Sequence, residues 1–237
     1  ALAKDTLHSN AYRFSIEWSR VFPDATDEAE GYEALKALAN PDALATYHAM
    51  LDAMKARGIA PMVTLNHYTL PVWIHDGVGC HVDLDTCSPR GWVDKDRTVK
   101  EIAKYAGFIA QEFGDKIDLW ATLNEPFAVL LPGYLLPSPD RTNPPAVVLR
   151  IEEARIVLEG LVEAHARIYD ALHANDAADA DGDGTNAEVG VVYALTPMAP
   201  ADPENPLDVT GAENLFYLFN TVYLDAVILG QFDGDLD

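Results

Sequence analysis

DLWATLNEPF, residues 118–127, decides how this chain is read. Leu119 to Leu123 form an apolar run of strand length, too short to stand as a helix of its own. The run ends on Asn124 and Glu125, an amide beside a carboxylate, and Pro126 removes the next backbone donor and closes the ladder. Barrels and open α/β sheets place their chemistry at the carboxyl ends of their strands. Glu125 is therefore read in two ways. It is a catalytic group, or the three residues simply end a strand and cap the helix that follows.

Three further runs resemble it: AYRFSI (11–16), IAPMVTLN (59–66) and EVGVVYAL (188–195), with the strand at Asp118 extending over 117–123. Between and after them, apolar residues recur at helical spacing over 43–58, 98–114, 145–173 and 213–230. Strand alternating with helix is the rhythm of a parallel sheet. Generous loops after each strand suit an elaborated (β/α) barrel. A closed barrel of this kind needs eight strands, and the sequence offers four.

Composition limits the partners. Thirty-eight Asp and Glu against 16 Lys and Arg give a formal charge of −22 over 237 residues. Such a surface repels nucleic acid and anionic membranes, and no apolar run has the length of a membrane span. The acids are spread through loops and helix faces, as in DATDEAE (24–30) and DAADADGDG (176–184). Their repulsion fades at about 1 M salt, where the screening length is roughly 3 Å, so a halophile with a salt-rich cytoplasm is expected, with an ordinary acidic protein as the alternative. Residues 1–10 show no signal-peptide pattern and no initiating Met, which leaves processing or a partial sequence as the expectation.

Two acidic or thiol-bearing segments invite a metal reading. Cys80 and Cys87 flank HVDLDT and can form a disulfide, ligate a metal with His81, Asp83 and Asp85, or stay as two thiols; their spacing fits no zinc pattern. DADGDGTNAE (179–188) imitates a calcium loop through Asp179, Asp181, Asp183 and Gly184, but its twelfth position is Gly190 and no helix follows. It reads as a solvated acidic loop. No metal site and no cofactor are expected.

Glu125 has suitable company. RFSIEWSRVFP (13–23) brings Arg13, Glu17, Trp18 and Arg20 to the end of the first strand, and LNHYTLPVWIHD (65–76) brings His67, Tyr68 and Trp73 to the end of the second. Aromatic faces that cover a sugar ring, with His, Asn and Arg to fix its hydroxyls, are the residue types of a carbohydrate site. Taken singly, His67 is more often a satisfied structural histidine and Trp18 or Trp73 more often core, but three such clusters lie at consecutive strand ends. Among aromatics at a strand rim a carboxyl can serve as a general acid.

These stretches, with GWVDKDRTVKEIAKYAGFIAQEFGDKIDLWATLNEP (91–126) and FDGDLD (232–237), resemble glycoside hydrolase family 1, the retaining β-glucosidases and β-galactosidases. The resemblance implies a (β/α)8 TIM barrel of the α/β class, of which residues 1–237 hold strands two to five as a single partial catalytic domain. It implies that Glu125 is the acid/base catalyst, that Asn124 contacts the hydroxyl next to the anomeric carbon, and that His67 binds the glycone. Arg13 is implied to lie beside the nucleophile. Tyr68 stands where many members carry Trp, and a substrate contact is expected there. Glu17 and Trp18 match motif positions of structural type.

A retaining glycosidase needs a second carboxyl about 5 Å from the first. The family's nucleophile lies in a TENG-like motif, and none occurs here; Glu204–Asn205 and Glu213–Asn214 end no apolar strand. The expected function is a β-glycosidase acting on β-glucosides or β-galactosides, cytoplasmic, with a homo-oligomer allowed for the full-length protein, and this chain alone inactive. A non-catalytic carbohydrate-binding remnant, or a half-barrel completed by another chain, are the alternatives.

Overall fold

The computed structural model describes residues 2–234. Strands β1 (Ala11–Ser15), β2 (Ala60–Asn66), β3 (Leu119–Asn124) and β4 (Glu188–Val192) occupy the four apolar runs. They pair in parallel and in chain order. Parallel neighbours joined by helical crossovers are the wall of a (β/α)8 barrel, and the described residues supply four strands of such a wall. The last three residues of FDGDLD lie outside the described residues; of the rest, Asp233 accepts a hydrogen bond from the Tyr217 hydroxyl at 2.8 Å.

Among the described residues the α-helices include α1 (Trp18–Val21), α2 (Tyr32–Leu38), α3 (Pro41–Lys55), α4 (Gly77–Val82), α5 (Lys95–Phe113), α6 (Pro126–Leu130), α7 (Ile151–Asn175) and α8 (Pro206–Phe216). α5 buries Val99, Ile102, Tyr105, Ala106, Ile109 and Phe113, and α7 buries Ala154, Val157, Leu158, Leu161, Ala164, Ile168 and Leu172. These are the three- and four-residue spacings that make one apolar face. The two helices approach closely at Gly107, where a Cβ would meet the Asn175 amide at 3.1 Å. Behind β3, Trp120 Nε1 donates to Asp176 at 3.0 Å, and Thr122 pairs with His165 Nδ1 at 2.8 Å. The sheet is thereby tied to α7 by polar contacts as well as by packing.

Helix boundaries moved where local hydrogen bonding outweighed periodicity. α3 begins at Pro41 because the Asn40 side chain accepts from the N–H groups of Asp42 and Ala43, with proline as the first helical residue. The helix expected from 145 starts only at Ile151. Before it, Val147, Leu149 and Arg150 give their N–H groups to the carbonyls of Gly133, Leu135 and Tyr134, and Ala146 and Leu149 adopt positive φ. The helix expected from 213 starts at Pro206 under an Asn205 cap, so Glu213 lies inside α8 rather than opening it, and beyond Phe216 the coil widens into π-type turns.

Of the three outcomes open for the cysteines, the structure takes the disulfide, Cys80–Cys87. The loop 179–184 folds on its own hydrogen bonds, with Asp179 accepting from the N–H groups of Gly182, Asp183 and Gly184. Asp118, Asp179 and Asp181 bring their oxygens within 4.8 Å of one another. Among the described residues no helix is long and apolar enough to cross a membrane.

Candidate active site

The carboxyl ends of the four strands share one rim, and the turns that leave it carry the polar residues. At the end of β2, Asn66 is buried and donates through Nδ2 to the Thr69 carbonyl at 3.0 Å. That bond closes a tight turn in which Tyr68 takes φ 75°, a conformation rare for an aromatic residue. Thr69 Oγ1 then donates to Glu17 at 2.9 Å, which fastens this turn to the one after β1. Glu17 also accepts from Ser19 Oγ.

The end of β3 is held just as firmly. Glu125 N–H donates to the Val192 carbonyl of β4 at 2.8 Å, and the Glu125 carbonyl accepts from Ala128 N–H at 2.8 Å. Pro126 is the first residue of α6, so Glu125 stands at the cap position, yet its side chain makes no capping hydrogen bond. With φ 45° and ψ 64°, a left-handed backbone turns the carboxyl toward β2 instead. There its Oε2 accepts the Tyr68 hydroxyl. Asn124, 4% exposed, donates from Nδ2 to the same Tyr68 oxygen at 2.9 Å. Burial and the neighbouring Glu125 carboxylate push the Tyr68 phenol up to about 12, against smaller opposing effects from Asn124 and the charge of Arg13.

The five residues singled out in the sequence are thus placed unequally. Tyr68, Asn124 and Glu125 form one hydrogen-bonded chain. His67 is exposed, its ring edge-on to Tyr68 with centroids 4.6 Å apart. Arg13 is exposed on β1, in register with Met62 of β2. Trp18, matched above to a motif position of structural type, and Trp73 both belong to the packing. Trp18 is buried against Tyr105, and Trp73 Nε1 donates to the Phe22 carbonyl at 3.0 Å.

Glu125 opens into a cleft of about 830 Å³, walled by Tyr68, Phe127, Leu131, Tyr193 and Phe219 and rimmed by Asp140, Arg141 and Asn143. A cleft of this size holds a small ligand with most of its surface covered. Tyr193 and Phe219 escaped the sequence reading. Tyr193 follows directly on β4, so the same strand-end rule that found Glu125 points to it. Phe219 sits in an irregular turn that carries no such signal. Thr196 and Asn220 brace this wall, with Asn220 exchanging two hydrogen bonds with the Thr196 backbone. Tyr68 and Asn143 also line a neighbouring cleft of about 560 Å³.

The model of the family described as Glycosyl hydrolase family 1 matches residues 2–236. A β-galactosidase of Pyrococcus woesei is 35% identical over 255 residues, covering 97% of this chain and 49% of that protein. Among solved structures, Fpglu1 from Fervidobacterium pennivoraus superposes with a TM-score of 0.80 at 36% identity, covering 92% of this chain and 44% of that one. A β-glucosidase mutant derived from a hyperthermophilic tetrameric structure gives 0.77 at 29% identity, with 94% and 48% covered. The chain spans about half the length of the relatives it matches.

Proposed function

Because this chain belongs to glycosyl hydrolase family 1, we propose that residues 1–237 are one part of a single (β/α)8 catalytic domain that hydrolyses terminal β-glucosides or β-galactosides with retention. The observation that carries this reading is the placement of Glu125. Its carboxyl stands at a strand rim, declines the cap position it occupies, and opens into an aromatic-walled cleft.

In the proposed reaction, protonated Glu125 gives its proton to the glycosidic oxygen as the C1–O bond breaks. A carboxylate nucleophile attacks C1 from the opposite face and forms a glycosyl-enzyme. Glu125, now ionised, takes a proton from water as that water attacks C1 and releases the nucleophile. The nucleophile is assigned to a segment outside residues 1–237. Asp140, the other acid at the cleft, is exposed on a loop rather than set at a strand end. Asn124 is assigned the hydroxyl next to the anomeric carbon, through the N–H that Tyr68 leaves free. His67 is assigned the glycone, Arg13 the neighbourhood of the nucleophile, and Tyr68 a contact at the sugar site.

The net charge of −22 supports a salt-rich cytoplasm as the setting. A homo-oligomer of the complete protein is in keeping with the tetrameric structure from which one similar β-glucosidase mutant derives. The test is Glu125→Gln in the complete enzyme. Hydrolysis of glycosides with poor leaving groups should fall by about 10²–10⁴-fold, and hydrolysis of activated aryl glycosides far less. Equal losses on both would remove Glu125 from the acid/base role. The isolated 237-residue chain should show no turnover.

A further inference from the structure

We propose that Tyr68 is a positioning residue for Glu125: its hydroxyl holds Oε2, which leaves Oε1 as the oxygen that carries the catalytic proton. This rests on the glycosidase reading above and goes beyond it, because it moves Tyr68 from a sugar contact to the control of the carboxyl.

The direction of the hydrogen bonds makes the case. Asn124 Nδ2 can only donate, so the Tyr68 oxygen accepts from it at 2.9 Å. The single proton of the phenol is then left for Glu125 Oε2. Oε2 can accept that proton whether or not Oε1 is protonated, so the contact persists through both steps of a retaining cycle. When Oε1 gives its proton to the departing oxygen, the negative charge that develops is shared by Oε2, where Tyr68 already donates.

Both partners are set by their own strands before they meet. Asn66 closes the turn that carries Tyr68, and Val192 receives the N–H of Glu125. Each residue also takes a left-handed backbone, φ 75° for Tyr68 and φ 45° for Glu125. Neither is glycine, and such conformations persist only where the surroundings enforce them. The phenol, pushed up to about 12, keeps its proton across the working range and remains a donor. Its ring faces two clefts, but its one polar atom is committed to Asn124 and Glu125.

Tyr68→Phe in the complete enzyme removes the hydroxyl alone. The expected result is a loss in kcat/KM on the order of 10²-fold for alkyl and disaccharide substrates, the size of effect that a misplaced catalytic group produces. For a dinitrophenyl glycoside, whose leaving group needs no proton, the loss should stay below about 3-fold. Equal losses on both substrates, or a raised KM with unchanged kcat, would make Tyr68 a plain substrate contact and overturn the proposal. A double-mutant cycle with Tyr68→Phe and Glu125→Gln in urea unfolding gives a readout independent of turnover. Non-additive effects are expected, and additive ones overturn the pairing. A parent enzyme that hydrolyses no β-glycoside overturns the glycosidase reading alone, and the unfolding cycle then decides Tyr68.

Discussion

The two inner strands and the two outer strands of this sheet have similar apolar sequences and very different surroundings. Val63–Asn66 of β2 and Trp120–Asn124 of β3 are buried without a break. β1 exposes Ala11, Tyr12 and Arg13, and β4 exposes Glu188 and Gly190. The difference is a matter of neighbours. Each inner strand is flanked on both sides, whereas β1 and β4 have one partner each among the described residues. The catalytic candidates divide along the same line. Asn124, Glu125 and Tyr68, at the ends of β3 and β2, are locked together, while Arg13 on β1 stands exposed. An inner strand end can be pre-organised by this chain alone, and an outer one needs the barrel's next strand.

The contrast predicts a graded response to substitution. Trp120→Ala should cost about 3–5 kcal/mol in urea unfolding, since it empties a core site and removes the Nε1 donor from Asp176 Oδ2. A cost near that of a surface change would erase the distinction between inner and outer strands.

Acid should act next, on the helices outside β1. Glu112 of α5 is buried, which raises its pKa, but hydrogen bonds from Lys36, Tyr32 and His48 lower it further, so the net shift is downward from 4.5. A lowered acid stabilises the fold fully above its ordinary value and loses that stabilisation as pH falls through the folded one. With Lys36 39% exposed, the pair is worth on the order of 1 kcal/mol. Thermal melts from pH 6 down to pH 3 should therefore fall less steeply for Glu112→Gln than for the parent. Parallel curves would remove Glu112 as the source.

The smallest effect belongs to the outer strand. Val191→Ala on half-buried β4 should cost less than about 1 kcal/mol, and amide exchange should be faster in β1 and β4 than in β2 and β3. Exchange equally slow in all four strands would show that the outer pair needs no further partner.

The part of this architecture that rests on periodicity was readable in the sequence, because strand and helix spacing leave a direct trace. All four strands and the rim they share follow from it, and so does the candidacy of Glu125. What escaped depends on contacts that spacing does not encode. Ala146 and Leu149 take positive φ without being glycine, because the carbonyls of 133–135 claim the N–H groups around them. Trp73 looks like a sugar platform in a list of residue types, and only its hydrogen bond to the Phe22 carbonyl and its edge-on contact with Trp18 show where its surface is spent. The commitment of Tyr68 to Glu125 requires two left-handed turns to face one another across the rim, and no local pattern announces that.

The most direct test of the central claim is azide rescue of Glu125→Ala in the complete enzyme, with a dinitrophenyl β-glycoside as substrate. Without Glu125 the glycosyl-enzyme still forms from this activated substrate, and a small anion can attack C1 from the vacated side. If Glu125 is the acid/base, azide should accelerate turnover and the product should be the β-glycosyl azide. No acceleration, or an α-glycosyl azide, would contradict the account, the latter by marking Glu125 as the nucleophile.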